Sequence, residues 1–101
     1  MFELLYTKEA KDNIDKLPLK KKRQIKDALE RVAVDPEAGK HLTGDLKGLY
    51  SYRSGDFRII YKVFREKVTI LVITVGHRKD VYEKITKKAA GIQDISLNED
   101  V

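Results

Sequence analysis

The chain is 101 residues long, which is enough for one domain with a single modest core. It has no cysteine, so the sequence excludes disulfide bonds and thiolate metal sites, and its longest apolar run is too short to span a membrane. Lysine and arginine outnumber aspartate and glutamate by 21 to 16, which gives a net charge of +5.

The positive charge is concentrated in residues 1–90. Residues 91–101 contain Asp94, Glu99 and Asp100 but no basic residue, which leaves 21 basic and 13 acidic residues, a net charge of +8, in the rest of the chain. Such an excess favours a polyanion or an acidic protein as partner. A basic surface that serves only solubility is the alternative. The N-terminus has no signal-peptide pattern, so we expect a cytoplasmic protein with no membrane partner.

The first elements predicted along the chain are a short strand and a helix. The strand covers Phe2 to Tyr6. Thr7 is a residue type that caps helices, and Glu9 follows in the first turn, where an acidic side chain complements the helix dipole. The helix is indicated by a single apolar stripe and is ended by a proline: the stripe is Ala10, Ile14 and Leu17, and the proline is Pro18.

A second helix is predicted from a longer stripe at helical spacing, formed by Ile25, Ala28, Leu29, Val32 and Ala33. Asp35 and Pro36 end it. Because little more than Pro18 joins the two helices, we expect an antiparallel helix hairpin. The basic run K-K-K-R at 20–23 opens the second helix against the helix dipole. That run suits either contact with RNA phosphates or a solvated helix start.

The second half of the chain predicts a sheet. Residues 35–48 contain Pro36 and three glycines and predict a loop, in which we assign no chemical role to His41. Three strands follow, at Leu49–Arg53, Phe57–Phe64 and Lys67–Val75, with tight turns at 54–56 and 65–66. Consecutive strands of this kind form an antiparallel meander.

A short final helix is predicted over Asp80–Ala90. The fold class is therefore α+β, in the order β-α-α-β-β-β-α, with the N-terminal strand and the helix hairpin packed on an antiparallel sheet. We expect a single domain over residues 1–90. Residues 91–101 are expected to form an acidic, flexible C-terminal tail.

Alternation along the strands predicts which side chains share a face of the sheet. Phe57, Ile59, Tyr61 and Val63 share one face, which we expect to pack against the helix hairpin. Arg58 then projects from the opposite, open face. If Tyr50 and Tyr52 also face the helices, Arg53 joins Arg58 there. Residues 68–75 are apolar on both faces, as in a central strand that the last helix or a partner covers on its second side.

Two segments resemble a known family. L-T-G-D-L-K-G-L-Y-S-Y-R-S-G-D-F-R-I-I-Y (42–61), followed by V-G-H-R-K-D-V-Y (75–82), resembles the RelE/ParE superfamily of bacterial and archaeal toxins, and most closely its RelE branch. The specific match covers 42–83, and the strand–helix–helix order before it also agrees. The resemblance implies a RelE-like fold and a ribosome-dependent mRNA interferase of a type II toxin–antitoxin system. It also implies a cognate antitoxin, a small acidic protein in complex with the toxin, and no cofactor or metal.

The resemblance also implies site residues. The hairpin arginine of the branch corresponds to Arg58, the arginine after the third strand to Arg78, and the C-terminal tyrosine to Tyr82; these three are the expected catalytic residues. The basic residue before the hairpin turn corresponds to Arg53, a substrate-binding residue. The pattern commonly has a further basic residue where this chain has Ser51. Lys47 could supply that charge, so both are assigned to substrate binding.

The implied chemistry is cleavage of mRNA through its 2′-hydroxyl group. Arg58 and Arg53 suit the stabilisation of charge on phosphorus, because guanidinium groups bind phosphate oxygens in pairs. Tyr82 acts as a base only if cations such as Arg78 lower its pKa from about 10. Arg78 stabilises charge better than it donates a proton. His77 has the better pKa, about 6.5, but strand neighbours point to opposite faces, so we count it as substrate-binding.

Two other functions remain open at this point. ParE-type members of the superfamily share the fold and inhibit DNA gyrase without cutting RNA. An RNA-binding module that has lost activity is also compatible with the chain, because Ser51 replaces a basic residue. Structural roles are the alternative for single residues: Arg53 and Arg58 as surface charges, Tyr82 in packing, and Arg78 in a salt bridge.

Overall fold

The computed structural model describes residues 1–77 together with Asp80 and Val81. Its elements are β1 (Glu3–Tyr6), α1 (Lys8–Asp15), α2 (Leu19–Val34), β2 (Lys40–His41), β3 (Tyr50–Ser54), β4 (Phe57–Phe64) and β5 (Thr69–His77). The strands form one sheet in the order β1-β5-β4-β3-β2. The α+β class is confirmed, and so is the predicted order from β1 through the two helices to β3, β4 and β5. Two details were wrong: β2 lies in the segment predicted as a loop, and β1 is a parallel member of a mixed sheet rather than a strand packed on an antiparallel one. The predicted final helix over Asp80–Ala90, except for Asp80 and Val81, and the predicted tail lie outside the described residues.

Helix α1 begins at the predicted cap. The Thr7 hydroxyl accepts a hydrogen bond from the Ala10 N–H at 3.1 Å and donates one to the Ile73 carbonyl at 2.6 Å. One side chain therefore both caps the helix and ties it to β5. The predicted apolar stripe is confirmed, since Ala10 is fully buried and Ile14 and Leu17 pack against the same core.

Helix α2 buries the stripe predicted for it: Ile25, Ala28, Leu29, Val32 and Ala33. Pro18 separates it from α1 and accepts, through its carbonyl, a hydrogen bond from the Lys22 N–H at 2.9 Å. The two helices cover one face of the sheet together. Within the described part of the chain, no helix combines the length and the apolar character needed to cross a membrane.

Strand β1 joins the sheet in parallel with β5, in a register that runs from Glu3 opposite Thr69 to Tyr6 opposite Val72. The Glu3 N–H bonds the Val68 carbonyl at 2.9 Å, and the Thr7 N–H bonds the Val72 carbonyl at 3.0 Å. Parallel neighbours need a long connection between them, which the helices and the other strands supply here. The predicted meander is confirmed for β3, β4 and β5, which pair antiparallel.

The two turns of the meander differ. Between β3 and β4, Gly55 and Asp56 form the predicted hairpin, and Gly55 has φ +59°, which suits the first position of a type II′ turn. The second connection is longer than the predicted two residues. A 3₁₀ turn at Arg65–Lys67 is followed by Val68 at φ 49°, so β5 begins at Thr69 rather than at the predicted Lys67. The strand also continues to His77, beyond the predicted end at Val75.

Two apolar clusters lie on opposite faces of the sheet. The cluster under the helices contains Phe57, Ile59 and Tyr61, with Val63 partly buried, as predicted. The cluster on the second face contains Leu49, Ile60, Leu71, Ile73 and Val81. Leu42 and Leu46 pack against it from the segment before β3. Strand β5 is therefore covered on both sides, which explains its largely apolar sequence.

Candidate functional site

Arg53 and Arg58 form a cross-strand pair on the second face of the sheet. They lie directly opposite each other in the β3–β4 register. Arg53 is exposed, and Arg58 is half-buried and donates from Nη1 to the Phe57 carbonyl at 3.3 Å. In residues 1–77, 80 and 81, no carboxylate forms an ion pair with either arginine. Like charges placed opposite each other destabilise a sheet, so this arrangement favours a bound anion.

The end of β5 lies next to this pair. Gly76 is the residue opposite Arg58, and His77 is the residue opposite Phe57. Gly76 contributes no side chain to the row that contains Arg58. The chain continues from His77 into Arg78 and, four residues later, Tyr82, both of which lie outside the described residues. Their predicted catalytic roles therefore stay predictions.

Ser51, which stands where the pattern commonly has a basic residue, and Lys47, which could supply that charge, differ in accessibility. Ser51 is 6% exposed and lies opposite Ile60, so it presents little surface to a substrate. Lys47 is exposed and ends the 3₁₀ turn Gly44–Leu46. Because Leu46 packs on the second-face cluster, Lys47 is carried on the same side of the sheet as the arginines.

Two further lysines lie on this face and were not assigned to the site from the sequence. Lys40 is exposed and lies opposite Ser51 in the β2–β3 register. It therefore supplies a basic side chain beside the position where Ser51 replaces the basic residue of the family pattern. Lys62 follows Arg58 in the same alternation along β4, and its ammonium lies 5.3 Å from the centre of the Phe64 ring. The alternation could have indicated Lys62. Lys40 depends on a two-residue strand that no sequence pattern indicates.

His77 lies on the other face. Its imidazole stacks on the Phe57 ring, with ring centres 4.6 Å apart and an interplanar angle of 28°. Phe57 belongs to the cluster under the helices, so His77 is on the helix side of the sheet. The structure therefore does not bring His77 together with Arg53 and Arg58.

A polar network at the opposite end of the sheet was missed by sequence reasoning. The Tyr50 hydroxyl donates to Glu37 at 2.6 Å, and His41 Nε2 lies 3.0 Å from the other carboxylate oxygen. Arg65 pairs with Glu37 and donates to the Tyr50 hydroxyl at 3.2 Å. The spacing of Glu37 and His41, four residues apart, was the one sequence signal available for it.

The network holds Glu37 in its charged form. Hydrogen bonds from Tyr50 and then from His41 lower the pKa of the Glu37 carboxyl. Burial, followed by the bond to Glu37, raises the pKa of the Tyr50 hydroxyl. These four side chains tie the segment after α2 to β3 and to the turn after β4. We assign them a structural role, in contrast to the arginine pair, which has no carboxylate partner among the described residues.

The basic run at 20–23 occupies the first turn of α2. Lys20 and Arg23 are exposed, and the Lys21 ammonium lies 6.0 Å from the centre of the Phe57 ring. Lys21 is therefore near His77 on the helix side of the sheet. The run has no acidic residue in its own first turn to offset it.

Comparison with known families gives one match over most of the chain. Residues 4–82 match the profile of the family described as the ParE toxin of the type II toxin–antitoxin system, parDE. Among individual proteins, Toxin RelG of Mycobacterium tuberculosis is 28% identical over 85 residues, which cover 82% of this chain and 98% of the relative.

Solved structures show the same fold. The isolated E. coli RelE toxin is 31% identical and superposes with a TM-score of 0.67, covering 87% of this chain and 98% of that chain. The toxin–antitoxin complex RelBE2 of M. tuberculosis contains a chain that is 28% identical, with a TM-score of 0.71 and coverage of 76% of this chain and 91% of that chain. The observed sheet and helix hairpin are thus those of RelE-type toxins.

Proposed function

The chain belongs to the ParE-toxin family of type II toxin–antitoxin systems, within the RelE/ParE superfamily, and from this we propose that it is a toxin that cleaves mRNA in the ribosomal A site. The observation that carries the proposal is the cross-strand pair Arg53 and Arg58 on a basic face of the sheet. Two guanidinium groups without carboxylate partners in the described structure are suited to a phosphodiester.

The reaction we propose uses the RNA's own 2′-hydroxyl as nucleophile. Its oxygen attacks the adjacent phosphorus, its proton passes to a base, and the bond to the 5′-oxygen breaks as that oxygen takes a proton from water. The products are a cyclic 2′,3′-phosphate and a free 5′-hydroxyl. Arg53 and Arg58 bind the non-bridging oxygens, on which negative charge increases in the transition state.

The remaining roles fall to residues that follow β5. Tyr82 takes the 2′-hydroxyl proton when neighbouring cations lower its pKa. Arg78 stabilises the leaving oxygen, because a guanidinium group rarely releases its proton. Lys47 and Lys40 extend the basic surface along the RNA strand and contribute affinity through phosphate contacts.

The proposal is tested by primer extension on cellular mRNA after induction of the toxin. We expect cuts within translated codons, and their loss in Arg58→Ala, Arg78→Ala and Tyr82→Phe. Lys26→Gln is the matched control, because Lys26 is an exposed cation on α2, away from the arginine pair. Intact mRNA in cells that the wild-type protein still arrests would overturn the proposal.

Inhibition of DNA gyrase is the second candidate function. The family profile that matches residues 4–82 is that of the ParE toxin, and this favours gyrase inhibition as a candidate. A supercoiling assay with purified gyrase separates the two. Inhibited supercoiling together with intact mRNA would assign the chain to this function, and uninhibited supercoiling would exclude it.

We further propose that a cognate antitoxin binds this chain in a hetero-oligomer. The related M. tuberculosis chain was solved as a toxin–antitoxin complex, and the net charge of +5 here favours an acidic partner. Co-expression with the small acidic protein encoded by a neighbouring reading frame should relieve growth arrest and yield a co-purifying complex. Arrest that persists with no complex formed would contradict this partner.

A further inference from the structure

An open cleft lies where β5 ends on the helix side of the sheet. Its volume is about 490 Å³, and its lining includes Asn13, Lys16, Lys21, Phe57 and His77. Phe57 is 6% exposed and forms a fixed support, on which the exposed His77 imidazole lies flat at 4.6 Å between ring centres. The cleft therefore presents a supported aromatic ring to solvent at its edge.

The polar groups of the cleft are mixed in sign. Lys16 and Lys21 supply cations, and Asp56 and Asp80 supply carboxylates, around the same opening. A site for phosphate alone would need no carboxylates. Nucleobases, in contrast, present both hydrogen-bond donors and acceptors at their edges and stack on aromatic side chains, including histidine.

The position of Asn13 keeps this edge in place. Its Oδ1 accepts hydrogen bonds from the Thr74 hydroxyl at 3.0 Å and from the Val75 N–H at 3.1 Å. Thr74 and Val75 are thereby held against α1, and His77 follows two residues later. A ring that stacks on buried Phe57 beside this held segment loses little freedom when a base stacks on it, which favours binding.

The cleft adjoins the arginine pair around the end of the sheet. Arg58 lies opposite Gly76, and Phe57 lies opposite His77, so the two sites occupy neighbouring rows on opposite faces. Neighbouring residues of a strand are about 3.8 Å apart. Gly76 adds no side chain between them, and Val81 packs over it, with its Cβ 3.7 Å from the place where a Cβ of Gly76 would be. A single strand with a phosphate on Arg53 and Arg58 would reach the cleft by passing beside Val81.

We propose that this cleft is a nucleobase subsite, in which a base flanking the bound phosphate stacks on His77. The inference rests on the proposed function, since it assumes that the arginine pair holds single-stranded RNA. It gives His77 a binding role through its ring rather than through its proton. It also gives Lys21 a role beside that ring, which distinguishes it from the other cations of the basic run.

The test is a fluorescence anisotropy titration of the purified full chain with a short, labelled single-stranded RNA at low salt. Stacking of one base on an aromatic side chain is worth a factor of about 5 or more in affinity. We expect His77→Ala to lose that factor and His77→Phe to retain wild-type affinity. Lys21→Gln should weaken binding more than the matched change Lys26→Gln.

RNA with single abasic positions separates the base from the backbone. In the wild type, one abasic position should lower affinity, and His77→Ala should no longer respond to it, because the stacking partner is already absent. Equal affinities of wild type and His77→Ala, an equal abasic penalty in both, or no RNA binding by the wild type would each overturn the subsite.

The subsite and the proposed function fail in distinguishable ways. If Arg58→Gln weakens RNA binding and His77→Ala does not, the subsite is wrong and the phosphate site stands. If His77→Ala and the abasic RNA behave as expected but mRNA stays intact in cells, the subsite stands and the proposed cleavage is wrong.

Discussion

At the scale of single residues, Val68 has an unfavourable backbone conformation. It is the one non-glycine residue in the described ranges with a positive φ, at 49°, and its side chain is branched at Cβ. This left-handed conformation costs an L-residue about 1–2 kcal/mol, and asparagine tolerates it better. Val68 is 50% exposed, so its replacement removes little packing.

We therefore predict that Val68→Asn stabilises the protein. The expected gain of about 1 kcal/mol corresponds to a rise in Tm of about 4–8 °C in a thermal melt followed by circular dichroism. Val34→Asn is the matched control: Val34 is 66% exposed at the end of α2, and asparagine there should give no gain. A lower Tm for Val68→Asn would show that the side-chain contacts of Val68 outweigh its backbone strain.

Gly39 is restricted by close packing rather than by its backbone. Its φ of −82° is open to any residue, but a Cβ there would overlap the Tyr61 hydroxyl. That hydroxyl donates to the Pro36 carbonyl at 2.7 Å and accepts from the Gly39 N–H at 3.1 Å. Burial raises the pKa of Tyr61, which keeps the hydroxyl protonated as this donor.

Gly39→Ala should therefore destabilise the protein by about 1–3 kcal/mol, the range for overpacking. The same change in a Tyr61→Phe background should cost less, because the overlapping oxygen is absent. Urea denaturation of the four proteins gives the coupling free energy. Additive costs would mean that the hydroxyl is not what excludes a side chain at position 39.

At the scale of elements, α1 and its N-cap supply hydrogen bonds to β5 where the β4–β5 register is irregular. The β4–β5 register shifts between Ile60 and Tyr61. Opposite this shift, Thr7 bonds the Ile73 carbonyl, and Asn13 Oδ1 accepts from Thr74 and Val75. A bulge leaves backbone groups without ladder partners, and the side chains of Asn13 in α1 and of its N-cap Thr7 supply them.

We predict that removing the Asn13 amide loosens the β5 backbone at Val75. Asn13→Ala leaves the Val75 N–H without its acceptor, at a cost of about 1–3 kcal/mol. Hydrogen exchange of the Val75 amide should accelerate more than that of Leu71, which lies on the regular part of the strand. Asn13→Asp retains an acceptor and should stay close to wild type. Unchanged exchange at Val75 in Asn13→Ala would refute the assigned contact.

The elements that sequence patterns predicted are those whose partners lie close along the chain. Both helix stripes and the alternation of β4 followed from spacing, and the shared face of Arg53 and Arg58 followed from alternation along the two strands of the hairpin. No local pattern specifies pairings between distant segments. The parallel pairing of β1 with β5 and the position of Lys40 beside Ser51 depend on such pairings. The same holds for the Glu37 network, which joins three separate segments through side chains alone.

At the scale of the whole molecule, the sheet separates two kinds of surface. One face is buried under the helix hairpin, and the other combines a small apolar cluster with the cations of β2, β3 and β4. This second face and the net charge of +5 act together on a polyanion: the charge attracts it, and the arginine pair binds it.

The salt dependence of RNA binding measures this second face directly. For single strands, the slope of log affinity against log salt is about −0.7 for each phosphate neutralised. Arg53→Gln and Arg58→Gln should each make the slope shallower by about 0.7, because each removes one guanidinium–phosphate contact. Lys26→Gln lowers the net charge by the same amount as either arginine variant. Because Lys26 lies away from the pair, this change should leave the slope unchanged. Slopes that change alike in all three variants would mean that RNA responds only to net charge, and that the arginine pair is not its binding site.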